Sequence, residues 1–69
     1  MSEEILEEKT NLLAATAIAE KNGFVSTSML QRAMGLGYSK AARIIDTLEY
    51  KGVIEAVEGN GLRKFIKST

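Results

Sequence analysis

Four side chains able to donate hydrogen bonds recur along one stretch: Ser39, Lys40, Arg43 and Thr47. Lys40 and Arg43 are three residues apart, and Ser39, Arg43 and Thr47 follow at steps of four, so on a helix they share one surface. Two hydroxyls, an ammonium and a guanidinium in that arrangement can address several base edges of a duplex at once. A guanidinium makes a bidentate contact to guanine, which singles out Arg43 as the preferred base reader. The competing reading is an ordinary solvated helix face, and the flanking elements must decide between the two.

The stretch sits inside a recurrent unit. Ser26-Thr27-Ser28 offers several N-cap oxygens, with Ser26 and Thr27 the better placed, ahead of a short apolar segment of Met29, Leu30, Ala33 and Met34. Gln31 and Arg32 are left to solvent or to a phosphate backbone. Gly35-Leu36-Gly37 then makes a turn, with Leu36 directed inward. A longer helix follows, in which Ala41 or Ala42, Ile45 and Leu48 form the core stripe and Ile44 lies at its margin. Short helix, glycine turn and longer helix make a helix-turn-helix, whose second helix can enter a major groove. Tyr38, at its start, can stack, touch a phosphate or pack.

Both flanks extend this unit. After Gly52, Val53–Val57 reads as a strand, the Glu58–Gly61 segment as a turn, and Leu62–Lys67 as a second strand. Such a hairpin behind three helices is a wing. It carries Arg63, Lys64 and Lys67 toward phosphate or minor-groove contacts, with Asn60 at the tip either joining them or only making the turn. Ser68 and Thr69 are expected to fray. On the other side, residues 1–20 read as a helix capped by Ser2, with an apolar face of Leu6, Thr10, Leu13 and Ala17 widened by Ile5, Leu12, Ala14 and Ile18. The small residues Ala14, Ala15, Ala17 and Ala19 allow another helix to come close. Asn22-Gly23 ends it, and Phe24 and Val25 follow as an apolar pair that seals the domain and can pair with the hairpin. The expected architecture is one domain over 1–69, mainly α with a small β-hairpin: a winged helix-turn-helix with helices at about 2–20, 28–34 and 38–51 and a hairpin at about 53–67.

Composition removes most alternatives. Nine basic and nine acidic residues balance to zero, but the acids Glu3, Glu4, Glu7, Glu8 and Glu20 fall in the first twenty positions against Lys9 alone. An acidic helix thus precedes a mildly basic body, as expected of a single basic face and equally of a protein-protein adaptor. The chain holds no cysteine and no histidine, which excludes disulfides, thiolate chemistry and the usual zinc sites. Ser28 and Ser39 have no evident base partner, and Asp46 with Glu49 reads as a helix-surface pair, so no enzyme is expected. No metal, cofactor or small-molecule substrate is expected either. The apolar runs fall far short of a membrane span and the N-terminus is acidic, so no membrane contact and a cytoplasmic location are expected.

From Ser26 the sequence STSMLQRAMGLGYSKAARIIDTLEYKGVIEAVEGNGLRKFI resembles the gamma domain of the FtsK/SpoIIIE bacterial DNA translocases, most specifically from Ser28 through Arg32 and from Gly37 through Asp46. The resemblance implies a winged helix that recognises short, polarised, guanine-rich chromosomal sequences in chromosome segregation, orients the motor, and contacts a site-specific tyrosine recombinase. It also implies that the polar pair after the tyrosine, here Ser39-Lys40, reads DNA together with Arg43, and that Arg32 matches the family's LQR arginine. The family's usual pair is an asparagine or similar polar residue followed by an arginine. A second arginine commonly stands where this chain has Ala33, and a lysine-proline-arginine where it has Gly61-Leu62-Arg63. These departures imply a sequence preference of its own or a lower affinity.

The chain has no phosphate-binding loop, so it is expected to be either an excised translocase domain or a free-standing copy, such as a mobile-element regulator. The leading expectation is sequence-specific binding of double-stranded DNA. Ser39, Lys40, Arg43 and Thr47 would read bases, while Ser28, Arg32, Tyr38, Asn60, Arg63 and Lys64 would hold the backbone or wing contacts. The alternative is a protein-interaction winged helix that docks on a recombinase or a translocase.

Overall fold

The apolar residues of the 41–48 segment recur at steps of three and four, and a helix turns them all to one side: Ala41, Ile44, Ile45 and Leu48 are buried. The computed structural model describes residues 3–59 and 61–68. The elements run α1 (Glu3–Asn22), β1 (Phe24–Val25), α2 (Thr27–Met34), α3 (Tyr38–Tyr50), β2 (Ile54–Ala56) and β3 (Arg63–Phe65). This is the winged helix-turn-helix the sequence led us to expect, and the Phe24–Val25 segment pairs with the hairpin as expected, making a three-stranded sheet in the order β1-β3-β2. Both pairings are antiparallel, with Val25 opposite Arg63 and Ile54 opposite Phe65.

The local stops and starts follow from side-chain and backbone chemistry. Ser26, rather than Thr27, caps α2: its Oγ accepts the backbone N–H of Met29 at 3.2 Å. The helix ends at Gly35, whose φ of 65° is left-handed and costs a glycine little. The end of α3 is sealed by two reversed bonds, Gly52 N–H to Glu49 O and Val53 N–H to Leu48 O, each 3.0 Å. They require the φ of 77° at Gly52 and carry Val53 straight into the core beside Leu48.

The core is aliphatic, with Leu30, Leu48, Ile54, Val25 and Val53 its largest fully buried side chains. Helix α1 packs on β1, α3 and β3. Its inward face differs from the expected one: Ala15 and Ala19 are fully buried, with Leu12 and Ile18 beside them, whereas Leu6 and Leu13 are 53% and 73% exposed and Ala17 is exposed. The methyl side chains let the helix axis approach the sheet and α3 closely, and this turns the bulkier Leu6–Leu13 stripe outward. Three smaller expectations also change. Ile44 is core rather than margin, Ala33 is exposed, and Phe24 is partly exposed on the outer face of the sheet while Val25 alone seals the domain. Ser68 is tied down, donating to the Glu20 carboxylate at 2.7 Å. Ser2, as the expected cap of the first helix, and Thr69 lie outside the described residues.

Candidate nucleic-acid interface

Burial of the 41–44–45–48 stripe sets the opposite phase of α3 toward solvent. Ser39, Lys40 and Arg43 are exposed together, as their spacing requires, and Thr47 is half-buried at the edge of the same patch. The Thr47 Oγ1 donates back to the Arg43 carbonyl at 2.9 Å, so the hydroxyl proton is committed within the helix and the oxygen is left to accept. No side chain caps the N-terminus of α3, which starts after Gly37 with Tyr38 exposed. Asp46 and Tyr50 join the exposed face, Tyr50 almost wholly in solvent. The steps 39–43–46–50 carry that signal in the sequence.

Two ion pairs border this face, one toward α1 and one toward the wing. The Lys40 Nζ donates to Glu7 Oε1 at 2.5 Å, with both side chains more than half exposed. On the other side the Arg63 Nε donates to Glu49 Oε1, and its Nη1 donates to the Gly61 carbonyl at 3.1 Å. Neither partner was foreseen, because each pair joins residues far apart in sequence, 33 positions for Lys40–Glu7 and 14 for Arg63–Glu49. By contrast, neither Arg43 nor Arg32 has a carboxylate within ion-pair distance among the described residues.

The wing does not present its two cations as one patch. Alternation along β3 puts Arg63 on the inner face with Phe65 and sends Lys64 to the outer face, in register with Phe24 and Glu55. Asn60 lies outside the described residues. Ser28 and Arg32 are both exposed, one helical turn apart on α2, and the Ser28 hydroxyl lies 3.3 Å from that of Ser26. Ser39, Lys40, Arg43 and Thr47 are thus assembled on one element, while the remaining candidates are distributed around it.

Between α1 and α3 runs an open groove of about 370 Å³, with Glu7, Glu8 and Asn11 on one wall and Lys40, Arg43 and Thr47 on the other. Leu12 and Ile44 also line the groove, which is open to solvent, and its groups form no catalytic constellation. Among the described residues no cluster of acids is placed to hold a metal ion, and no helix is long and apolar enough to cross a membrane.

Residues 7–68 match the family described as the Ftsk gamma domain. Among similar proteins, a DNA translocase FtsK from Caldanaerobacter subterraneus subsp. tengcongensis is 44% identical over 61 residues, 87% of this chain and 9% of that protein. A DNA translocase FtsK from Clostridium acetobutylicum is 41% identical over 64 residues, 93% of this chain and 8% of its own length. One from Mycobacterium tuberculosis is 37% identical over 54 residues, 78% of this chain and 6% of its own length. The chain therefore spans less than a tenth of the curated relatives named. The match takes in most of α1 together with the helix-turn-helix and the wing, and on that span the chain belongs to the FtsK gamma domain family.

Proposed function

We propose that this domain binds double-stranded DNA sequence-specifically, laying α3 in the major groove and thereby orienting or recruiting a DNA translocase or a site-specific recombinase acting on the same DNA. The observation that carries the reading is Arg43: an exposed guanidinium at the centre of α3, without an ion-pair partner among the described residues, flanked by Ser39, Lys40 and Thr47. Such a group gains most from a bidentate base contact and is not already satisfied within the protein. The uncapped start of α3 favours a phosphate next to Tyr38 and Ser39. Arg32 on α2 and Lys64 on the wing contribute backbone attraction around it, which positions the domain without specifying sequence. The similarity to proteins named DNA translocases supports the choice of DNA as ligand.

Selection from a random duplex library tests this directly. A single enriched motif, lost on Arg43→Ala, is expected; recovery of unenriched sequence would reject site-specific reading.

A protein partner is the second reading, favoured by the solvent-facing Leu6 and Leu13 on α1. Under it, substitution of Leu13 by serine abolishes recruitment of a recombinase or translocase and leaves duplex binding intact.

A further inference from the structure

Lys40 stands on the DNA-facing helix, yet its ammonium is already engaged by a carboxylate from another element, Glu7 of α1. Glu8 lies next to it on the same wall of the groove, and Lys40, Arg43 and Thr47 line the facing wall. A phosphate that approaches Lys40 must therefore displace one ion pair and then sit close to a carboxylate left without its partner. The resulting penalty is the same for every sequence, because it acts on backbone charge and not on base edges. Arg43, on the same face, has no comparable restraint among the described residues.

We infer that Glu7 is an internal counter-charge that restrains Lys40 and weakens the hold of α3 on duplex of any sequence, so that the base contacts of Arg43 carry a larger share of the binding. The inference rests on the DNA-binding reading above. Its physical form is a soft restraint. Both side chains are more than half exposed, and exposed pairs are weak, so the contact yields where base contacts add to the phosphate attraction. A buried pair would have locked Lys40 out of any interface. Balanced total charge fits the same logic, since five of the nine acids lie in the first twenty residues, the part that supplies Glu7.

The test is the affinity of the whole chain for an arbitrary duplex and for the duplex selected from the random library, each across a salt series, comparing wild type with Glu7→Gln, Lys40→Gln, the double variant and Arg43→Ala. Circular dichroism checks that each remains folded. Glu7→Gln is expected to tighten non-specific binding about 2- to 5-fold at low salt, the scale of one exposed ion pair. Its log–log salt dependence should steepen by roughly one phosphate contact. Lys40→Gln in the Glu7→Gln background should remove most of that gain. Wild-type affinity and slope in Glu7→Gln, with Arg43→Ala still weakening or relaxing binding, overturns the role of Glu7 alone. A gain that survives Lys40→Gln overturns the counter-charge mechanism. If neither Glu7→Gln nor Arg43→Ala alters binding, the DNA-binding reading falls with it.

Discussion

The Arg63 guanidinium is held by the Glu49 carboxylate, so the last strand of the wing is fastened to the C-terminal turn of the helix it flanks. Both side chains are about a quarter to a third exposed, and the guanidinium also donates to the Gly61 carbonyl beside the hairpin turn. Arg63 thus acts first as a bracket between wing and α3. Arg63→Met, which keeps the stem and removes the fork, is expected to cost about 1 kcal/mol of stability. Hydrogen exchange at β2 and β3 should accelerate more than at α2. Unchanged hairpin exchange would show that the bracket carries no load.

Arg43→Ala and Lys64→Ala separate base reading from backbone attraction. Loss of Arg43 is expected to reduce discrimination between the selected site and a mismatched one by about 1–3 kcal/mol. Loss of Lys64, on the outer face of the sheet, should lower affinity for all duplexes equally and flatten the salt dependence by about one contact. Parallel titrations of matched and mismatched duplexes give both quantities.

Core and surface leucines make a paired test of the packing. Leu30 is fully buried, so Leu30→Ala is expected to destabilise by about 2–5 kcal/mol. A domain of this size has little stability in reserve, and a substantial unfolded fraction should be visible in urea titrations near room temperature. Leu13→Ala, on the exposed side of α1, should stay within about 0.5 kcal/mol of wild type.

Gly52→Ala isolates a backbone effect. A Cβ at this position meets no atom within 4 Å, yet the φ of 77° is unfavourable for alanine. The expected loss is about 1–2 kcal/mol from the left-handed conformation alone. A thermal melt close to that of wild type would mean that the turn after α3 relaxes freely.

The helix cap gives the smallest effect. Ser26→Ala removes the acceptor for Met29 N–H and is expected to cost about 1 kcal/mol. The loss should be read in chemical denaturation beside Ser28→Ala, whose hydroxyl receives no backbone N–H among the described residues and should be close to neutral.

Elements governed by local chemistry were legible before any coordinates. Gly35 and Gly52 punctuate the chain by their own conformational preferences, residue type narrows the cap of α2 to Ser26 or Thr27, and the 41–45–48 spacing shows which side of α3 is dry. The orientation of α1 was not legible in the same way. Its leucines outweigh its alanines in any tally of hydrophobicity, but approach distance decides burial, and only Ala15 and Ala19 allow the helix to come close. The candidate site divides along the same line. The grouping of Ser39, Lys40, Arg43 and Thr47 follows from helical repeat. The pairing of Lys40 with Glu7 and of Arg63 with Glu49 follows from how separate elements meet, which no local spacing encodes.

The strand order has a bearing on how the chain is made. Both partners of β3 precede it in sequence, and β3 is the centre of the sheet. On the ribosome, α2 and α3 can dock across their short glycine turn as soon as both have emerged, since the contacts between them are local. The sheet must wait until β3 has followed them out. Until then Phe24–Val25 and Ile54–Ala56 are two unpaired edges on a half-built domain, exposed to chaperones or to a neighbouring nascent chain, and the arrival of three residues, Arg63–Phe65, closes both.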